Sequence, residues 1–192
     1  MKGCRPLQQD EVGKVIAALQ TDRDRTLFVL GCTTGLRISE LLSVRVRHIY
    51  PGEWSGVVEV KRRHMKGAGE GRVLPLHPMV RKHGERHVKR TYKRFGPDAF
   101  LFGSKRRRTG DSALAVRSAQ LILSEAYQVA GVTGAVGTHS MRKFFASQVH
   151  ERLGRDINRT KEALGHRWIQ TTVAYLSFDR AEIDSAVTGI DW

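Results

Sequence analysis

Between residues 61 and 108 the chain carries sixteen lysines and arginines against three acids, a net of +13 in 48 residues. The whole 192-residue chain has a formal charge of +14, so the charge is a local feature of an otherwise near-neutral protein. Hydrophobic residues make up 40% of the sequence, enough for a core at this length and too many for a disordered polycation. The length fits one domain. Two cysteines, Cys4 and Cys32, do not make a disulfide-stapled secreted scaffold. No apolar run approaches the ~18 residues of a membrane span, and the N-terminal residues lack the apolar stretch of a signal peptide. The expectation is a soluble cytoplasmic domain. A concentrated basic stripe is the footprint of a polyphosphate partner. An acidic membrane surface fits less well, because the stripe has no apolar face to insert.

Periodicity predicts a mainly helical chain with one small antiparallel sheet. Val12, Val15, Ile16 and Leu19 fall at helical spacing over residues 8–20, with Asp10 as candidate N-cap. A second helix opens at Thr21 or Asp22 and stops at Gly35, and a short helix follows in ISELLSV. Residues 46–50 and 54–60 read as strands separated by Pro51-Gly52. The turn from Lys66 to Gly71 is glycine-rich, and residues 72–76 read as a returning strand, with Pro75 placing it at an edge. Helices are predicted from Pro78 to about Tyr92 and from Ala113 to Ala130, with a loop over 96–110. Three short helices at 139–153, 156–164 and 168–176, and an amphipathic stretch at 179–187, complete the chain.

Three segments carry chemistry. In TGLRISELL, Arg37 follows a glycine helix stop among apolar residues, and Glu40 lies three residues on, where it can pair with a half-buried guanidinium. In HSMR, His139 and Arg142 share a helix face beside a predicted helix N-terminus, a place that favours an anion. In ALGH, Gly165 ends a helix before His166, and Tyr175 follows nine residues later. Each segment alone is common: a structural Arg–Glu pair, an incidental His-x-x-Arg, a core tyrosine.

Taken in order, with a basic hairpin between the first two, they resemble the tyrosine recombinases, the phage integrase family, from about Leu7 to Phe178. The resemblance implies that fold, with residues 1–178 as a catalytic domain and 179–192 as a tail that contacts a neighbouring protomer through Ile183, Val187 and Ile190. It implies that Arg37 and Arg142 grip a scissile phosphate, that Glu40 braces the active-site arginine, and that His139 and His166 complete the set around the nucleophile Tyr175. His166 occupies a position that other members fill with Trp. The hairpin lysine matches best at Lys66, in KGAGEGR, although the turn is about one residue longer than the usual pattern and Lys61 stands nearby. Lys61, Arg62, Arg63, Arg72, Lys105, Arg106, Arg107 and Arg108 are the candidate contacts to the DNA backbone. The family usually carries an N-terminal DNA-binding domain, so the chain reads either as part of a longer integrase or as a recombinase made of the catalytic domain alone.

The chemistry is consistent with those residue types. Cleaving a phosphodiester without a metal requires permanent positive charge on the equatorial oxygens, which two arginines supply with bidentate geometry. A phenol with an ordinary pKa of about 10 is a weak nucleophile at neutral pH, and a neighbouring histidine can remove its proton. A lysine can protonate the leaving oxygen. The resemblance therefore implies a site-specific DNA recombinase, bacterial or phage-encoded and nucleoid-associated, working on double-stranded DNA as a homo-tetramer on paired sites. Integration, excision and inversion stay open. The alternatives are a type IB topoisomerase-like relaxing enzyme and a non-catalytic DNA-binding protein on the same fold. No cofactor is expected. His77, His83 and His87 are joined by no cysteine or acid cluster, so they are read as solvated helix histidines near the stripe, not metal ligands. No phosphate-binding Gly-x-x-x-x-Gly-Lys loop is present.

Overall fold

A computed structural model describes residues 3–60, 71–104, 109–173, 175–176 and 188. The chain divides into two compact units, residues 1–145 and 146–192.

The first unit is built around a central helix. Helix α1 (Gln9–Ala18) is capped at Gln8, whose backbone N–H donates to the Glu11 carboxylate at 2.8 Å. Asp10, expected as the cap, lies instead in the first turn and pairs with Lys14 at 2.8 Å. Helix α2 (Asp22–Thr34) starts at Thr21, whose hydroxyl accepts from the Asp24 N–H at 3.2 Å. Its residues from Thr26 to Cys32 are all buried, as a helix covered on every side must be. The hydroxyls of Thr26, Thr33 and Thr34 donate back to carbonyls four residues earlier, at 2.5, 2.8 and 2.6 Å. That leaves the hydroxyls of buried Thr26 and Thr34 satisfied inside the core.

Helix α3 (Ile38–Leu42) follows, and then a departure from the sequence reading. Residues 46–50 do not form a strand: Val46–His48 make a short 3-10 turn. The Ile49 and Tyr50 N–H groups donate to the Val46 carbonyl. Three-residue spacing buries Val46 and Ile49 together, which satisfies the same β-branched residues without a ladder. Strands β1 (Val57–Val60) and β2 (Arg72–Pro75) form a two-stranded antiparallel sheet in the register Val60↔Arg72 to Val57↔Pro75.

Helix α4 (Pro78–Phe95) packs along α2, and Gly84 permits the approach: a Cβ there would lie 2.9 Å from Thr26. Helix α5 (Val116–Val129) begins at Val116, three residues later than expected, and packs on α1 and α3. Helix α6 (Thr138–Arg152) runs through the boundary between the units.

In the second unit, α7 (Ile157–Leu164) is capped by Asp156, whose carboxylate accepts from the Asn158 and Arg159 N–H groups at 2.8 and 3.0 Å. Left-handed Gly165 ends it, and α8 (Ile169–Val173) follows. Among the described residues no helix is long and apolar enough to cross a membrane. The expected tail over 179–192 lies outside the described residues, apart from Thr188.

Candidate active site

The first cluster forms where α2 ends. Gly35 takes a left-handed conformation (φ 63°) that only glycine adopts without strain, and a Cβ there would strike the Phe145 ring at 2.3 Å. The chain turns immediately into Arg37. Its backbone N–H donates to one Glu40 carboxylate oxygen at 2.6 Å and its guanidinium to the other at 3.0 Å. Glu40 is 1% exposed while the Arg37 side chain keeps 28% exposure. The acid is therefore enclosed and the arginine, oriented by it, still reaches solvent.

The first turn of α6 supplies the remaining groups. Met141 packs over α2 at Gly31, where a Cβ would come within 2.8 Å of its sulfur. This close approach places Arg142, 1% exposed, so that its guanidinium donates to the carbonyl of Gly35. His139, one turn earlier, lies at the solvent edge. Partial burial draws its imidazole pKa below the ordinary 6.5, and the charges of Arg142, Arg37 and Lys143 push it further down. The ring is neutral at pH 7 and able to accept a proton.

Arg72, read from the sequence as a backbone contact, heads β2 and is half-buried, within electrostatic reach of both Glu40 and Arg37. Burial lowers its pKa, Glu40 counters that, and Arg37 adds to it. The base of the hairpin, Val60 opposite Arg72, therefore stands beside the Arg37–Glu40 pair. Lys61, Arg62, Arg63, Lys66 and Lys105 to Arg108 lie outside the described residues.

The second unit brings His166 and Tyr175 together, their ring centroids 5.1 Å apart at an interplanar angle of 63°. The His166 backbone N–H donates to the Lys161 carbonyl at 3.1 Å, and its Nδ1 sits 3.0 Å from the hydroxyl of fully buried Thr172. The Tyr175 N–H donates to the Thr172 carbonyl at 2.9 Å. Thr172 thus holds the His166 ring through its hydroxyl and the Tyr175 backbone through its carbonyl, a role the sequence reading missed. Of the histidines read as solvated, His77 is exposed and His83 and His87 are half-buried. His77 caps the helix, its Nδ1 accepting from the Met79 N–H at 3.2 Å. Half-buried His87 hydrogen-bonds the Leu101 carbonyl at 2.7 Å.

Chemically, the first cluster gathers guanidinium groups, one enclosed acid and an imidazole whose pKa is lowered. The second presents a phenol against a histidine. The profile of the phage integrase family matches residues 5–182; the chain belongs to that family.

Tyrosine recombinase XerA of Pyrococcus horikoshii is 30% identical over 183 residues, covering 95% of this chain and 60% of the relative. The probable integrase/recombinase YoeC of Bacillus subtilis is 26% identical over 175 residues, covering 91% and 88%. The chain spans about 60% of the length of the XerA relatives it matches. With an archaeal and a bacterial relative, the comparisons leave the source wider than the bacterial or phage origin expected. Among solved structures, XerA recombinase superposes with a TM-score of 0.78 at 20% identity, covering 100% of this chain and 68% of that one. A lambda integrase tetramer bound to a Holliday junction superposes with a TM-score of 0.65 at 16% identity, covering 100% and 51%. The fold is that of these catalytic domains.

Proposed function

We propose that this chain cleaves and rejoins DNA at specific sites through a 3′-phosphotyrosine intermediate. The observation that carries the reading is the enclosed Glu40 holding Arg37 beside Arg142 and a neutral His139, in a chain whose family tyrosine, Tyr175, lies against His166.

In this mechanism Arg37 and Arg142 neutralise charge on the non-bridging oxygens as the phosphorus becomes five-coordinate. His139 takes the phenolic proton. The Tyr175 oxygen bonds to phosphorus, the bond from phosphorus to the 5′-oxygen breaks, and that oxygen is protonated by the hairpin lysine, Lys66 or Lys61. His166 donates to a non-bridging oxygen. The phosphodiester's energy is kept in the phosphotyrosine, so a 5′-hydroxyl from another strand reverses the step without ATP. Exchange between partners requires four active sites on two paired duplexes, which supports a homo-tetramer on DNA as the working form. The tail over 179–192 is the segment proposed to link protomers. Integration, excision and inversion use the same chemistry and differ in how the target sites are arranged.

The test is a nicked suicide duplex drawn from DNA flanking the gene, which loses the attacking 5′-hydroxyl after cleavage and traps the adduct. The wild-type chain is expected to give a covalent protein–DNA band and Tyr175→Phe none. Equal bands would overturn the nucleophile assignment. Cleavage without sequence preference would favour a relaxing enzyme over a recombinase.

A further inference from the structure

The segment that leads into α6 has little of its own to hold it. Residues 131–137 read GVTGAVG, three glycines in seven residues. Two of these, Gly131 and Gly134, take left-handed conformations (φ 69° and 86°), and of the seven only Val132 is buried. Yet the end of this segment starts the turn of α6 that carries His139 and Arg142. The Gly137 N–H donates to the Ser140 hydroxyl at 3.0 Å, and the Ser140 N–H donates to the Gly137 carbonyl at 3.0 Å.

Arg5 supplies the hold. Its backbone N–H donates to the Ala135 carbonyl at 2.7 Å. Its guanidinium donates to the Thr133 carbonyl from Nε at 2.9 Å and from Nη2 at 2.6 Å. On its other side the guanidinium donates to the Glu11 carboxylate at 2.9 and 2.5 Å and to the Pro6 carbonyl at 2.9 Å. Every N–H of the fork therefore has an acceptor, a pattern that a lysine cannot reproduce. Glu11 is 9% exposed and is itself fixed by the Gln8 N–H at 2.8 Å; the Arg5 guanidinium draws its carboxyl below the ordinary range. An exposed ion pair such as Asp10–Lys14 contributes little on its own. The Arg5–Glu11 pair differs in what else it grips, two carbonyls of a glycine-rich segment.

The inner face of the same turn is fixed independently, by Met141 against Gly31 and by Arg142 on the Gly35 carbonyl. His139 stands at the outer end. It is exposed, and among the described residues no hydrogen bond holds its ring, so its place follows the backbone at the start of α6. Buried Tyr127 adds a further hold there, its hydroxyl donating to the Gly137 carbonyl at 3.2 Å.

We propose that Arg5 is a positioning residue of the candidate active site: through Thr133 and Ala135 it sets where α6 begins, and so where His139 stands. Arg5 touches no reacting atom. The inference rests on the proposed cleavage reaction, in which His139 takes the phenolic proton.

The test is single-turnover cleavage of the suicide duplex at saturating DNA, read beside DNA affinity and amide hydrogen exchange of the free protein. Arg5→Gln is expected to slow cleavage at least tenfold, as a small displacement of a reacting group does, with DNA affinity within twofold of wild type. Arg5→Lys keeps the charge beside Glu11 but not the fork; it should fall between the two, and it serves if Arg5→Gln does not fold. Exchange reads the hold without any reaction. In the variant the Gly137 and Ser140 amides should exchange at least tenfold faster while the amide of buried Leu30, in α2, is unchanged. A merely stabilising role would speed all three alike. If the wild-type chain gives no covalent product, the cleavage reading fails, and exchange alone decides whether Arg5 sets the start of α6. Unchanged cleavage in Arg5→Gln, a loss confined to DNA affinity, or equal acceleration of exchange at Leu30 and Ser140 would overturn the proposal.

Discussion

His139 is the proton acceptor of the proposed mechanism. Its ring lies partly out of water with Arg142, Arg37 and Lys143 nearby, and every one of these influences favours the neutral form. NMR titration of the free protein should place its pKa below 6.5, and Arg37→Gln should raise it by removing one of the opposing charges. A value above 6.5 in the wild type would contradict the described surroundings. Glu40 has a positioning part. It is enclosed, it accepts from both the backbone and the guanidinium of Arg37, and it holds the arginine's exposed end at the edge of the cluster.

At the scale of elements, the sequence was most legible where a single residue settles a boundary. Thr21 caps α2, Gly35 stops it, and Gly165 stops α7, each through a local conformation that few residues adopt. It was least legible where two structures satisfy the same apolar residues. Val46 and Ile49 are both buried, and the 3-10 turn is closed by the Val46 carbonyl, while the Val46 and Arg47 N–H groups donate to Ala99 and Pro97, far along the chain. The site followed the same division. The pairing of Arg37 with Glu40 was readable from three-residue spacing, His139 and Arg142 gained meaning only from the order of the segments along the chain, and the place of Arg72 beside them depends on strand register, which the hairpin sequence does not state. The α2–α6 contact offers the sharpest test. Gly35→Ala places a side chain in a left-handed conformation and into the Phe145 ring, and the two costs together are about 3 kcal/mol. Urea unfolding should show that loss as a lower midpoint at unchanged slope.

For the whole molecule, pH acts through histidines held neutral. Burial is the leading cause of a lowered pKa for His83, His87 and His139 alike. Above the unfolded value near 6.5 neither state protonates these rings, and they contribute no pH dependence. As pH falls below it the unfolded chain takes up protons first, so stability declines. The melting temperature should therefore drop between pH 6.5 and 5, before the carboxylates of Glu11, Asp22 and Asp156, all held below their ordinary range by cations or N–H donors, begin to titrate. A melting temperature that rises over that interval would refute this. Gly35 has one more consequence, a genetic one. It offers no side chain to any reaction, yet its conformation, its clearance from Phe145 and its carbonyl under Arg142 all bear on the arginine cluster. A random screen for inactive alleles should return substitutions at this codon as readily as at the arginines, and only a measurement of protein abundance would tell the two kinds of failure apart.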